Sequence, residues 1–239
     1  MSTPRGEVRA ELDRFLHSTE FSCLGARAAF KRGSLTHRHY PVLGGAESAR
    51  QHHEDLLDYA LALPGKLSGT SFLTFVATFD GPGPMDELEF ERTLWRHLQL
   101  VHDIDSPDHG VQPGASADPT QPNFGFHVGG HAFFVAAMHP GSSRASRRFP
   151  RPALAITSNQ QFMALGEKFV SLQERIRARE MANNGSINPS FTHYEYAQPA
   201  RHFSGRLTEP DWQCPFRFRN HTEGQATSDP ETYYGDASL

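Results

Sequence analysis

The run Ala132 to Met138, AFFVAAM, lies between Gly129-Gly130 on one side and His139-Pro140 on the other. Seven apolar residues rich in Phe and Val, bounded by such breakers, have the length and composition of a buried strand. The strand ends by presenting chemistry: His139 stands at the break, and the small-residue turn beyond it carries Ser142, Ser143, Arg144, Arg147 and Arg148. In an extended chain, residues an even number apart share a face. His127, His131 and His139 are therefore in phase on an unbroken strand, whereas a bulge at Gly129-Gly130 would change that phase.

The rest of the composition sets bounds. A chain of 239 residues, 37% hydrophobic and with 18 Phe, can bury a large core. A net charge of −4 gives no basic field of the kind that holds nucleic acid. No apolar segment approaches the roughly 18 residues of a membrane span, and MSTPRGEVRAELDRF has no hydrophobic signal core, so the expected address is the cytoplasm, with no membrane partner. Cys23 and Cys214 are too few for a disulfide framework or a four-cysteine zinc site. The paired histidines His37/His39 and His52/His53 are read as solvated faces before they are read as ligands.

Helical spacing over Pro4 to Leu16 predicts a first helix, and FSCLGARAAF a second, entered at Ser22. That entry puts Cys23 in the first turn, where the positive helix end is expected to lower its pKa. Leu35 to Val42 and Ser71 to Phe79 are predicted strands, Ala46 to Leu63 and Asp86 to Val101 amphipathic helices, and Asp103 to Gln121 a long polar loop, either a lid or a surface excursion. Ala153 to Thr157 is a further short strand, and Asn159 to Arg179 a helix with Phe162, Leu165, Phe169, Leu172 and Ile176 at helical spacing. There is no internal repeat. Helices before and after the strands, without strict alternation, predict a single α+β domain over residues 1–221, its mixed or antiparallel sheet flanked by helices, and a flexible tail over 222–239.

Phosphate-loop, HExxH and GxSxG signatures are missing from the sequence. What remains is a histidine at a strand end with three arginines close behind it. The plain interpretation is a strand-capping imidazole and solvated arginines. The sharper one is a haem pocket, in which imidazole ligates iron, guanidinium groups pair with propionates, and the run from Phe133 to Met138, Phe134 included, forms the wall.

Several stretches, FSCLGARAAF, HAFFVAAMHPGSSRASRRF, the helix from SNQQF to RIRARE, GSINPSF, ARHFSGR and WQCPF, together resemble the YqcI/YcgG family. The likeness spans about Phe21 to Phe216 with the motifs in order. That family includes haem-dependent N-hydroxylases acting on the guanidine of free arginine or an arginine-like amino acid in specialised-metabolite pathways. The resemblance implies haem b (iron protoporphyrin IX) as cofactor, and an amino-acid substrate and O2 as small-molecule partners. No flavin or nicotinamide motif is present in the sequence, so a separate electron-donor protein or peroxide is the expected reductant; a homodimer is the candidate assembly.

On this chain the resemblance implies His139 as proximal ligand, with His131 behind it and Cys23 or Cys214 as a thiolate alternative. Arg144, Arg147 and Arg148 would hold the propionates, with Ser143 adding a hydrogen bond. Glu195 would accept the substrate guanidinium, Tyr194 would stack on it, and Asn188 would contact it. Two readings compete: a haem sensor or carrier without oxygenase activity, and a non-haem metal oxygenase built on His127, His131 and Glu195.

Overall fold

Gly129 and Gly130 adopt φ of 61° and 72°, the left-handed region that glycine enters without steric cost. Two such residues in succession make the tight connection of a β-hairpin, not a bulge. Strand β3 (Phe126–Val128) is thereby folded back antiparallel on β4 (His131–Met138), with Val128 opposite His131. The expected in-phase row of His127, His131 and His139 does not exist, because the chain reverses between the first and second of them.

The computed structural model describes residues 3–67, 72–165, 167–188 and 198–219. Its five-stranded sheet also contains β1 (Leu35–Val42), β2 (Thr74–Gly81) and β5 (Ala153–Ser158), in the order β1-β2-β5-β4-β3. β1 and β2 are parallel, joined through helix α3 (Ala46–Leu61), and the other pairings are antiparallel. The fold is therefore α+β with a mixed sheet, as the sequence leads one to expect.

Alternation along β4 assigns its two faces. Phe133, Val135 and Ala137 are completely buried in the main core, together with Phe75, Phe79, Leu154 and Ile156. Helix α3 and helix α4 (Glu87–Asp105) cover that face; Asp86 caps α4 by accepting from the Glu89 amide at 2.8 Å. Removing each such aromatic or aliphatic side chain from water contributes about 2–3 kcal/mol. The same face holds a histidine pair: His52 Nδ1 lies 2.9 Å from His97 Nε2, and the Gly44 amide donates to His97 Nδ1. Burial holds His52 down at about 3 and His97 also well below the usual imidazole value.

Residues 212–219 are strapped along α4. Trp212 Nε1 donates to Glu91 at 2.7 Å, Gln99 exchanges hydrogen bonds with the Arg217 backbone, and the Arg219 amide donates to His102. Glu91 is buried and also pairs with Arg206. Cys214 packs into this core, where burial raises its thiol to about 12.

The opposite face of the sheet carries α1 (Arg5–His17) and α2 (Leu24–Lys31) over β1 and β2, around Phe149, Val76 and Ala153. Along the helix expected from Asn159 to Arg179 the described residues are helical on both sides of position 166, as α5 (Asn159–Leu165) and α6 (Glu167–Asn184). Among the described residues no helix is long and apolar enough to cross a membrane.

Candidate functional site

Phe134, Ala136 and Met138 of β4, with Ala155 and Thr157 of β5, project from the second face of the sheet into a large cavity roofed by α6. The space is about 1630 Å³, part of it open to solvent, and its lining is mainly apolar. On the α6 side Leu172 and Ile176 face in, one helical turn apart, and Phe162 of α5 meets Phe134 edge-on with ring centroids 6.3 Å apart. Such a wall suits a large flat apolar ligand.

Polar groups gather along one rim. Arg144 and Arg147 come from the turn after β4, which includes a short 3-10 helix (Ala145–Arg147), while Arg177 comes from α6. Arg147 is fixed in place: Nη1 donates to the Ala137 carbonyl at 2.9 Å and Nη2 to the His202 carbonyl at 3.3 Å. Burial pulls its pKa down while Glu180 and Cys23 oppose the shift, and a guanidinium stays a cation throughout. Gly205, at φ 82°, lets the chain pass close by; a Cβ there would sit 3.2 Å from Arg147 Cγ. Arg144 Nη1 donates to both the carbonyl and the hydroxyl of Ser186.

Two potential iron donors face the same space, Cys23 and His202. Cys23 precedes α2 and caps it, its sulfur accepting from the Ala26 amide at 3.5 Å. Cys23 is exposed on the side of the cavity it lines. Desolvation there pushes its pKa up against the lowering effects of the Ala26 amide and Arg147. The expected depression of this pKa is thus overturned: loss of hydration outweighs the helix end. The Cys23 loop is held from outside, since Arg27, Arg179 and Asn183 all donate to carbonyls of Ser18 to Phe21. His202, at the end of a second 3-10 helix (Pro199–His202), is buried.

His202 was not singled out from the sequence, although it stands in the motif ARHFSGR. Glu180 was missed as well. It continues the stripe Leu172, Ile176, Glu180 at four-residue spacing, whose first two residues the sequence already set at helical spacing.

The structure separates the residues that the sequence grouped. Phe134, Arg144, Arg147, Asn188 and Cys23 line the cavity. His139 does not: it follows Met138 and so turns to the other face, where its ring stacks on Phe90 of α4 with centroids 4.1 Å apart. Burial lowers its pKa, Glu87 and Asp86 counteract that, and Nδ1 has no hydrogen-bond partner among the described residues. Ser143 donates from both its amide and hydroxyl to Glu87, and Arg148 donates to the Ser142 and Ser143 carbonyls, so both brace the turn outside the cavity lining. His131 begins β4 at the hairpin, also outside the lining, with its pKa lowered by burial. Cys214 belongs to the core on the α4 side. Glu195 and Tyr194 lie outside the described residues.

His127 is buried near His102 and Asp105, and burial holds it at about 4. Among the described residues no group of three or more His, Cys, Asp or Glu side chains is arranged to hold a metal ion. The polar loop 106–121 is pinned from within by Gln112, buried and accepting from the Ala132 amide at 3.0 Å; only the residues that follow it, Pro122, Asn123 and Phe124, reach the cavity.

The model of the YqcI/YcgG family matches residues 12–217, and the chain belongs to that family. No curated protein and no solved structure matches it.

Proposed function

We propose that this member of the YqcI/YcgG family is a haem-dependent N-hydroxylase of arginine or an arginine-like amino acid, with haem b in the cavity between α6 and the sheet. The observation that carries the reading is one apolar cavity bearing three arginines along its rim and both a thiol and an imidazole in its wall. A porphyrin needs an apolar slot, cations for its two propionates and an axial donor. The lining supplies each kind of group: Arg144, Arg147 and Arg177 for the propionates, Cys23 or His202 for the iron. Glu180 is the one acid among the described lining residues, which leaves the rim with an excess of two positive charges, the complement of a dicarboxylate.

Bound haem would supply the activation of O2 that oxygen transfer to a nitrogen requires, with electrons from a separate donor protein or from peroxide. The chain's own part is placement and exclusion. Phe134, Phe162, Leu172 and Ile176 keep bulk water from the ligand, which strengthens every charge pairing at the rim. Arg147 arrives already oriented by two backbone carbonyls, so little side-chain freedom is lost when an anion binds. Cys23 is held by its helix cap and by the clamped loop before it.

The test is direct. Purified protein loaded with hemin, given L-arginine, a reductant and O2, should yield arginine carrying one added oxygen, read by mass. An intense Soret band without any oxygenated product would instead support a haem carrier or sensor.

A further inference from the structure

Glu180 occupies a singular place in the cavity. Arg144, Arg147 and Arg177 line the same cavity, Arg147 is close enough to feel its charge, and Glu180 is the one acid among the described lining residues. Its orientation is built, not incidental. Asn184, one turn on, donates from Nδ2 to Glu180 Oε2 at 2.9 Å, while Asn184 Oδ1 accepts from the Ala145 amide at 2.8 Å. The side chain is thereby tied through Asn184 to the turn that carries Arg144 and Arg147. The Asn184 bond falls on Oε2, and the carboxylate also acts electrostatically on Arg147. The helix face that bears Glu180 grades along its length: Leu172 and Ile176 are apolar, and the carboxylate follows where the rim begins.

We propose that Glu180, oriented by Asn184, is the residue that selects the cationic end of the substrate. The inference rests on the substrate reading above and adds a residue and a selection rule to it. A carboxylate takes two N–H groups of a guanidinium in one plane, and a neutral urea offers similar N–H groups without the charge. Recognition by Glu180 therefore appears as a preference for the charged ligand over its neutral near-isostere.

The experiment titrates the purified full-length chain calorimetrically with L-arginine and with L-citrulline, and records the Soret absorbance of the same samples. The wild type should bind arginine about 100-fold more tightly than citrulline, in line with the worth of a charge-assisted hydrogen bond in a partly desolvated site. Glu180→Gln should bring that ratio to about one by weakening arginine and sparing citrulline, with haem content unchanged. Glu180→Ala, which also deprives Asn184 of its acceptor, is read the same way should the glutamine variant not fold. A wild type without the preference, or a folded variant that keeps it, overturns the proposal. The two readings fail separately: a colourless protein whose arginine preference depends on Glu180 keeps the cation site and loses the haem, and a red protein indifferent to Glu180 does the reverse.

Discussion

Phe133 and Phe134 are adjacent in the chain and stand on opposite faces of one sheet. Phe133 is wholly buried in the core beneath α3 and α4, whereas Phe134 is partly buried and lines the cavity beneath α6. The first face is finished by close packing: aromatic rings, the His52–His97 pair and the strap 212–219 fill it. The second keeps a large space that the described side chains do not fill. Interiors normally pack to the density of organic crystals, so the cavity is the part of the molecule on which the proposed ligand site rests.

The contrast can be broken by truncation. Phe133→Ala should cost about 4 kcal/mol of unfolding free energy, the usual loss for a buried phenylalanine, and Phe134→Ala no more than about 2, since part of its surface already faces the cavity. Urea denaturation of the two variants measures the difference; equal losses would mean that the second face is as tightly packed as the first.

Acid sharpens the comparison. His52 and His97 are neutral in the folded core, with His52 held near 3, while an unfolded histidine titrates near 6.5. As pH falls below about 6.5 the unfolded chain takes up protons that the folded chain refuses. Stability is therefore complete above that value and is lost progressively down to about 3, at up to about 1.4 kcal/mol per pH unit for each histidine. Unfolding free energy measured from pH 7.5 to 4.5 should fall accordingly, and His52→Gln should reduce the slope by about one proton.

The smallest expected effect on stability lies on the cavity side. Cys23→Ser preserves a capping side chain at the start of α2 and should change unfolding free energy by less than about 0.5 kcal/mol. Any larger consequence of that substitution would be read in the ligand and not in the fold.

The framework was legible because short-range rules sufficed for it. The alternation of β1, the helical spacing and Asp cap of α4, and the Phe-rich β4 all stand where the sequence places them. The site was legible only in part, and the reasons are geometric. A one-residue step from Met138 to His139 changes the face, so the histidine that sits beside the arginines in sequence sits across the sheet from them in space. Whether Gly129-Gly130 bulges or turns was undecidable from two glycines alone, and the turn dissolved the histidine row. Arg144 and Arg147 reach the cavity while Arg148, next in the chain, braces its own turn, a division made by a 3-10 helix too short to leave a periodic signal. His202 arrives from the far end of the chain, and no local pattern brings it to Cys23; only the inward stripe of α6 pointed toward Glu180.

The account stands or falls on what fills the cavity, and titration of hemin into the purified full-length chain measures that most directly. One equivalent should bind with an intense Soret band. The band should shift or disappear in either Cys23→Ser or His202→Ala and persist in His139→Ala, and its position in the ferrous carbonyl form should tell thiolate from imidazole ligation. A chain that stays colourless with hemin, or a band lost only when His139 is replaced, would contradict it.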